Sequence, residues 1–115
     1  MTIGNIPGYQ RHEFPINPQY YHTFTLPVHG ALFFAGNCTL DGHYRVRRIL
    51  GMAKVTYNLV APDGSYLAPE GSNMAYFHYS QVSPGPYTFV FYNHSPYNIE
   101  TVVLVVRGYC LIPIG

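Results

Sequence analysis

Six histidines are the residues in this chain that could most readily bind a metal or move a proton. A zinc site needs ligands at short, fixed spacings, or a helix of the H-E-x-x-H type. None of the six has such neighbours, so we predict ordinary hydrogen-bonded or exposed histidines and no metal or other cofactor. Because histidine titrates near neutral pH, they would still make any assembly sensitive to pH between about 5 and 7. The six are His12, His22, His29, His43, His78 and His94.

Carboxylates and nucleophiles give no catalytic pattern. Acid–base catalysis needs carboxylates brought together by the fold, and spacing alone does not reveal such a pair. Serine-elbow, P-loop and dinucleotide-binding motifs do not occur in the sequence. Cys38 follows Asn37 and precedes Thr39, and neither residue lowers the pKa of a thiol. We therefore predict that the protein is not an enzyme. The five carboxylates are Glu13, Asp41, Asp63, Glu70 and Glu100.

Cys38 and Cys110 are the only two cysteines of the chain. They are too far apart in sequence for a C-x-x-C redox or zinc motif. A disulfide between them would close a long loop and stabilise the fold by about 4 kcal/mol. Two free, buried thiols are the alternative, and the sequence leaves both open.

The composition favours contacts with other protein chains. Charged residues make up 10% of the sequence and aromatic residues 17%, with 12 tyrosines and a net charge of +1. Tyrosine is enriched in protein interfaces, where lysine and glutamate are depleted. Nucleic acid is not an expected partner, because Arg45, Arg47 and Arg48 are the only basic cluster. We also expect no small-molecule ligand and, lacking an apolar run of about 18 residues, no membrane span.

Short strands are the elements that position these residues. Apolar and aromatic runs separated by Gly, Pro, Asn and Asp recur every eight to twelve residues or so, with no helical period. This pattern predicts an all-β fold, an antiparallel β-sandwich of about eight short strands with a jelly-roll-like arrangement. The predicted strands are Tyr20–Leu26, Gly30–Gly36, His43–Leu50, Ala53–Val60, Asn73–Tyr79, Tyr87–Asn93, Ile99–Arg107 and Tyr109–Ile114. Asn37–Gly42, Ala61–Ser65 and Val82–Pro86 are predicted turns.

The stretch Tyr87–Arg107 reads as a β-hairpin that is apolar on both faces. A strand with one wet face should alternate apolar and polar residues. We therefore expect one face in the core and the other against the N-terminal segment or a neighbouring subunit. The interface candidates are Val90, Tyr92, Val102, Leu104 and Val106.

Residues 1–18 are predicted to be an extended N-terminal arm, followed by a single sandwich domain at residues 19–115. Prolines favour extended backbone and remove ladder donors. The arm is nevertheless apolar, so it lies either across its own domain or across a neighbouring subunit. Its anchoring residues are predicted to be Ile3, Ile6, Tyr9, Phe14 and Ile16.

The segment Val55–Val106 resembles the GOLD-type β-sandwich and the pre-peptidase C-terminal sandwich domains. The matching positions are Pro62 and Gly64 in a turn, and later Gly85, Tyr87, Phe91 and Asn93. The resemblance covers about half the chain and implies a sandwich that acts as a non-catalytic interaction module. Val90 stands where the strand cysteine of the membrane-traffic proteins usually lies, and neither a transmembrane helix nor a signal is seen, so a trafficking role is not carried over.

These observations predict a structural assembly subunit that associates with copies of itself and with another structural protein. We expect a virion component, such as a phage capsid-decoration or tail protein, held by apolar sheet faces and the arm. One alternative is a subunit of an extracellular fibre or pilus joined by strand addition. The other is a glycan-binding module that stacks sugars on tyrosines, with Tyr76, Tyr79, Tyr87, Tyr92 and Tyr97 as candidates.

Overall fold

A computed structural model describes residues 2–3, 6–29, 37–48, 53–67 and 71–113. These residues form strands and loops, without a helix among them. The strands are β1 (Thr2–Ile3), β2 (Gln10–Ile16), β3 (Tyr21–Val28), β4 (Cys38–Val46), β5 (Val55–Val60), β6 (Tyr66–Leu67), β7 (Met74–Val82), β8 (Gly85–Asn93), β9 (Glu100–Cys110) and β10 (Ile112–Pro113).

Eight of these strands form two antiparallel four-stranded sheets, and β1 pairs with β10 in a short separate ribbon. One sheet has the order β2-β9-β4-β7 and the other β3-β8-β5-β6. Successive strands mostly alternate between the two sheets, which is the connectivity of a jelly roll. The predicted all-β sandwich with a jelly-roll-like arrangement is therefore confirmed.

The core lies between the two sheets and is rich in aromatic rings. Phe91 is at its centre, with ring centroids 5.2 Å from Tyr44, 5.4 Å from Phe14 and 6.1 Å from Tyr57. Tilted and edge-on pairs at such distances contribute beyond the area that they bury. The Tyr44 hydroxyl donates a hydrogen bond to the carbonyl oxygen of Val55 at 2.9 Å, which satisfies a polar group deep in the core.

The strand with the clearest alternation was predicted correctly. Ala53, Val55, Tyr57 and Leu59 face the core, as their period of two indicates. The turn that follows is also as predicted: Gly64 has a φ of +88°, and its amide donates to the carbonyl of Ala61 at 2.9 Å.

The predicted hairpin at Tyr87–Arg107 is wrong, because β8 and β9 belong to different sheets. The connection between them crosses the sandwich around the buried side chain of Asn93. Its Nδ2 donates to the carbonyls of Ile16 and Asn98, both at 2.9 Å, and its Oδ1 accepts from the amide of Ser95 at 2.9 Å. These bonds hold an arch between sheets where the turn residues had indicated a reversal within one sheet.

The N-terminal segment supplies a strand of the sandwich. Strand β2 pairs along its whole length with β9, from Gln10 opposite Val106 to Ile16 opposite Glu100. Of the two positions left open for this segment, the described residues lie across their own domain. Pro15 is tolerated because β2 is an edge strand.

Three other predictions need correction or lie outside the described residues. Asn37–Gly42 was predicted as a turn, but Cys38–Val46 is a strand of nine residues. Its turn-forming residues are overridden by pairing with β7 on one side and β9 on the other. The predicted strand at Gly30–Gly36 lies outside the described residues, as does Leu50, the predicted end of the strand that begins at His43.

Cys38 and Cys110 form a disulfide bond. They are opposite each other in the register of β4 and β9, so the bond ties together the two central strands of one sheet. Pairing of these strands along nine positions brings the two residues together although they are 72 apart in sequence.

Candidate functional site

The outer side of the β2-β9-β4-β7 sheet carries most of the charge of this protein. Alternation along each strand turns one set of side chains away from the core, and the pairing of the strands places them in rows. We call this surface the charged face. It is formed by Arg11, Glu13, Asp41, His43, Arg45, Arg47, Met74, Tyr76, His78, Val103, Val105 and Arg107.

A carboxylate–guanidinium pair lies near the middle of the charged face. Asp41 on β4 is directly opposite Arg107 on β9. Nε of Arg107 donates to Oδ1 of Asp41 at 2.8 Å, and Nη2 donates to Oδ2 at 3.2 Å. The Asp41 side chain is only 10% exposed and that of Arg107 22%. Two parallel charge-assisted bonds fix both side chains, and the bond to Asp41 raises the pKa of Arg107.

Aromatic rings surround this pair on both sides. The Arg107 guanidinium lies 4.3 Å from the ring centroid of Tyr9 and 5.5 Å from that of Tyr109, in cation–π contact. On the β7 side, His78 Nδ1 is 3.5 Å from Asp41 Oδ2, and the rings of His43 and Tyr76 are 5.1 Å apart. The result is a pre-arranged set of aromatic and charged groups on rigid strands.

An open recess of about 500 Å³ lies among these residues. Tyr9 borders it on the β2 side and Tyr76 on the β7 side, while Gly42 and Val105 lie between them. Gly42 has a φ of +152°, and a Cβ there would collide with the carbonyl oxygen of Val105. Glycine is therefore required between Asp41 and His43, where it permits close approach of β4 and β9.

The remaining charges leave this face positive. Glu13 contacts Arg11 at 3.2 Å and Arg47 at 3.1 Å, so one carboxylate is shared by two arginines. Arg45 is exposed, and no ion pair joins it to another described residue. With four arginines, two carboxylates and neutral histidines, the charged face has a net charge of +2.

The outer side of the β3-β8-β5-β6 sheet is uncharged. Three of its threonine hydroxyls are hydrogen-bonded: those of Thr25 and Thr88 are 3.0 Å apart, and that of Thr56 is 2.8 Å from Nε2 of His94. Burial and the nearby Lys54 lower the pKa of His94. We call this surface the uncharged face; its outward residues are Tyr21, Thr23, Thr25, Pro27, Thr56, Asn58, Val60, Tyr66, Pro86, Thr88, Val90 and Tyr92.

The predicted interface residues do not share one surface. Val90 and Tyr92 lie on the uncharged face and are partly exposed. Val102, Leu104 and Val106 are fully buried in the core, so they do not face a partner. The prediction failed because it placed β8 and β9 in one hairpin. They lie in different sheets, and their apolar sides face each other across the sandwich.

The predicted arm residues also separate. Phe14 and Ile16 belong to the core, where Phe14 stacks on His22 with ring centroids 4.0 Å apart. Ile6 and Tyr9 are exposed, and Tyr9 contacts Arg107. Ile3 lies in β1 opposite Ile112.

Histidines, carboxylates and tyrosines are distributed over several surfaces. Among the described residues, no group of three His, Cys, Asp or Glu side chains is arranged to hold a metal ion. His12 and His22 contact aromatic rings at the β2 and β3 edges, with ring centroids 4.2 Å from Phe24 and 4.0 Å from Phe14 respectively. The candidate sugar-stacking tyrosines form no platform: Tyr87 is buried, Tyr76 lies on the charged face, and Tyr92 lies on the uncharged face.

Asp41 and Arg107 were not selected from the sequence, although one signal could have found them. Thr39, Asp41, His43 and Arg45 are polar at every second position of β4, between buried residues. Assigning Asn37–Gly42 to a turn hid this alternation. The pairing of Asp41 with Arg107 depends on register between distant strands, which no local pattern reports.

The fold is a two-sheet antiparallel sandwich, and the crystal structure of a protein with a similar fold is known. A crystal structure of PliG from Aeromonas hydrophila, a periplasmic inhibitor of g-type lysozyme, matches 88% of this chain and 86% of its own. The TM-score is 0.60 and the sequence identity 14%, so the likeness is one of fold. No family model matches the chain, and no curated protein matches its sequence.

This match corrects the functional prediction. The expected virion component is wrong, because a solved protein that shares the fold along nearly the whole chain is a periplasmic enzyme inhibitor. The alternatives of a fibre subunit and a glycan-binding module fall with it. Within the described residues there is no helix long and apolar enough to cross a membrane.

Proposed function

We propose that this protein is a non-catalytic inhibitor that binds a lysozyme of the g type. The observation that carries the proposal is the correspondence of fold with the Aeromonas hydrophila inhibitor along nearly the full length of both chains. Fold alone supports many functions, so the surface must also suit a protein partner.

The surface chemistry supports a protein partner. Exposed tyrosine and arginine are the side chains most enriched in protein interfaces and at their energetic centres. On the charged face, Tyr76 is 75% exposed, and Arg45 has no described ion-pair partner. Both lie on paired strands, which hold them in place and limit the entropy lost on binding.

The disulfide supports a compartment outside the reducing cytosol. Disulfides persist in the periplasm and in extracellular fluids, and they are rare in the cytosol of most cells. We therefore propose a periplasmic or extracellular location. Cell fractionation with thiol labelling tests it: Cys38 and Cys110 should resist alkylation unless a reductant is added first. Labelling without a reductant would contradict this location.

The test of function is titration of a g-type lysozyme with the purified protein while clearing of a bacterial cell suspension is followed. We expect activity to fall with a stoichiometric end point, and a c-type lysozyme under the same conditions serves as the specificity control. Undiminished g-type activity at a large molar excess of the protein, together with no binding by calorimetry, would refute the proposal.

A further inference from the structure

The asymmetric distribution of charge points to one side of the sandwich as the binding surface. We propose that the charged face contacts the partner and that the partner presents carboxylates to it; this rests on the proposed function as a protein inhibitor. The occupant is thus a protein surface rich in Asp and Glu, which the net charge of +2 on this face complements.

The cationic side chains of this protein are concentrated on the charged face. Of the six Lys and Arg residues in the sequence, four belong to the charged face. A fifth, Arg48, lines a recess of about 470 Å³ at the end of that face together with Arg47 and the carboxylate of Glu100. Lys54 lies beside the uncharged face, near His94. A net excess of positive charge on one face steers an oppositely charged partner and speeds its encounter.

The charged face also combines a recess with aromatic side chains and a fixed ion pair. Tyr9 and Tyr76 border the recess, and the bidentate Asp41–Arg107 pair forms part of the surface beside it. A partner side chain that enters the recess would meet the imidazoles of His43 and His78. Both can donate hydrogen bonds to a carboxylate oxygen.

The opposite surface of the sandwich differs in composition. The strands β3, β5, β6 and β8 contain no Asp, Glu, Lys or Arg. The hydroxyl groups of Thr25 and Thr88 there are already bonded to each other. Apart from Lys54 at its border, this face therefore offers an acidic partner no cationic side chain.

Two pairs of matched variants test the proposal with a g-type lysozyme as the probe. Arg45→Glu and Lys54→Glu change the net charge equally on opposite faces. Tyr76→Ala and Tyr66→Ala remove rings that are 75% and 71% exposed on opposite faces. All four side chains are away from the core, and thermal unfolding should verify that the variants fold.

We expect Arg45→Glu to raise the dissociation constant about tenfold or more, chiefly by slowing association, and Arg45→Gln to have a smaller effect in the same direction. Tyr76→Ala should also weaken binding, whereas Lys54→Glu and Tyr66→Ala should remain within about twofold of wild type. Association of the wild-type protein should slow as NaCl is raised from about 0.05 to 0.5 M.

Equal effects of Arg45→Glu and Lys54→Glu would overturn the proposal, since total charge and not this face would then matter. Larger effects of Lys54→Glu and Tyr66→Ala would move the binding surface to the uncharged face. If the wild-type protein inhibits but none of the four variants differs from it, the surface assignment fails and the inhibitor function stands. If the wild-type protein neither binds nor inhibits, both fail.

Discussion

Four arginines and two carboxylates lie on the outer side of the β2-β9-β4-β7 sheet, whereas the strands of the opposite sheet contain no charged residue. The inner sides of the two sheets are alike, since both supply aliphatic and aromatic residues to one core. The two outer sides thus differ much more than the two inner sides. A chain with only 10% charged residues has placed most of them on one surface.

The two outer faces remain compatible with water in different ways. On the charged face, charged side chains flank apolar positions: Val103 is buried outside the main core, between Glu13 and Arg45 in the register. On the uncharged face, threonine hydroxyls and tyrosine rings are exposed to solvent instead, and the ring centroids of Tyr21 and Tyr92 are 4.5 Å apart. The comparison indicates that charge is not needed to solvate a sheet face, and its concentration on one side points to binding.

The largest loss of stability is expected on removal of the Cys38–Cys110 disulfide, which links β4 and β9. Cys38→Ala combined with Cys110→Ala should lower the free energy of unfolding by about 2–5 kcal/mol, because the unfolded chain loses a long closed loop. Urea unfolding of this variant and of the wild-type protein with and without reductant measures the loss. Reduced wild-type protein should resemble the variant; a loss below about 1 kcal/mol would show that strand pairing alone fixes this sheet.

A smaller loss of stability is expected when a carboxylate of the charged face is neutralised, and it should differ between Asp41 and Glu13. Asp41→Asn should destabilise the protein by more than an exposed ion pair contributes, because it replaces the bidentate charge-assisted pair with a weaker contact and leaves the Arg107 charge without its carboxylate. Glu13→Gln should cost less than about 1 kcal/mol, because its partners Arg11 and Arg47 are 59% and 65% exposed. Denaturant unfolding of the two variants in parallel tests the difference. Equal losses would mean that the Asp41–Arg107 pair is no more important than a surface ion pair.

The smallest expected effect is on the pH dependence of stability, and it comes from His22 on β3, an edge strand of the other sheet. Burial lowers the pKa of His22, which stacks on Phe14. The unfolded chain therefore binds a proton more readily, and stability should decrease as the pH falls below about 6.5. His22→Gln should reduce the slope of stability between about pH 6.5 and 5, whatever its effect at pH 7. An unchanged slope, with His94 left in place, would show that His22 does not contribute.

Local sequence pattern predicted the class of fold because alternation and turn residues are local properties. Strand β5 and its following turn at Gly64 are the clearest cases. The first part of β4 was predicted as a turn because Asn37, Asp41 and Gly42 favour turns in isolation. Pairing with β7 and β9 holds this part of the chain extended. The GOLD-like resemblance remains a prediction.

The candidate site could not be predicted in the same way. Asp41 and Arg107 are 66 residues apart, and they meet only because β4 pairs with β9 in one register. Assigning β8 and β9 to a hairpin would have placed Arg107 beside the wrong strand. The separation of charged from uncharged outer faces likewise depends on which strands share a sheet, and that is set by packing across the whole sandwich.

Hydroxyl-radical footprinting of the protein, free and in complex with a g-type lysozyme, tests most directly whether the two faces differ in function. Tyr76 and Tyr66 have nearly the same exposure and serve as reporters on opposite sides. If the charged face binds the partner, the complex should protect Tyr76 and Tyr9 from oxidation and leave Tyr66 unchanged. Protection of Tyr66 and Tyr21 with unchanged oxidation of Tyr76 would contradict it.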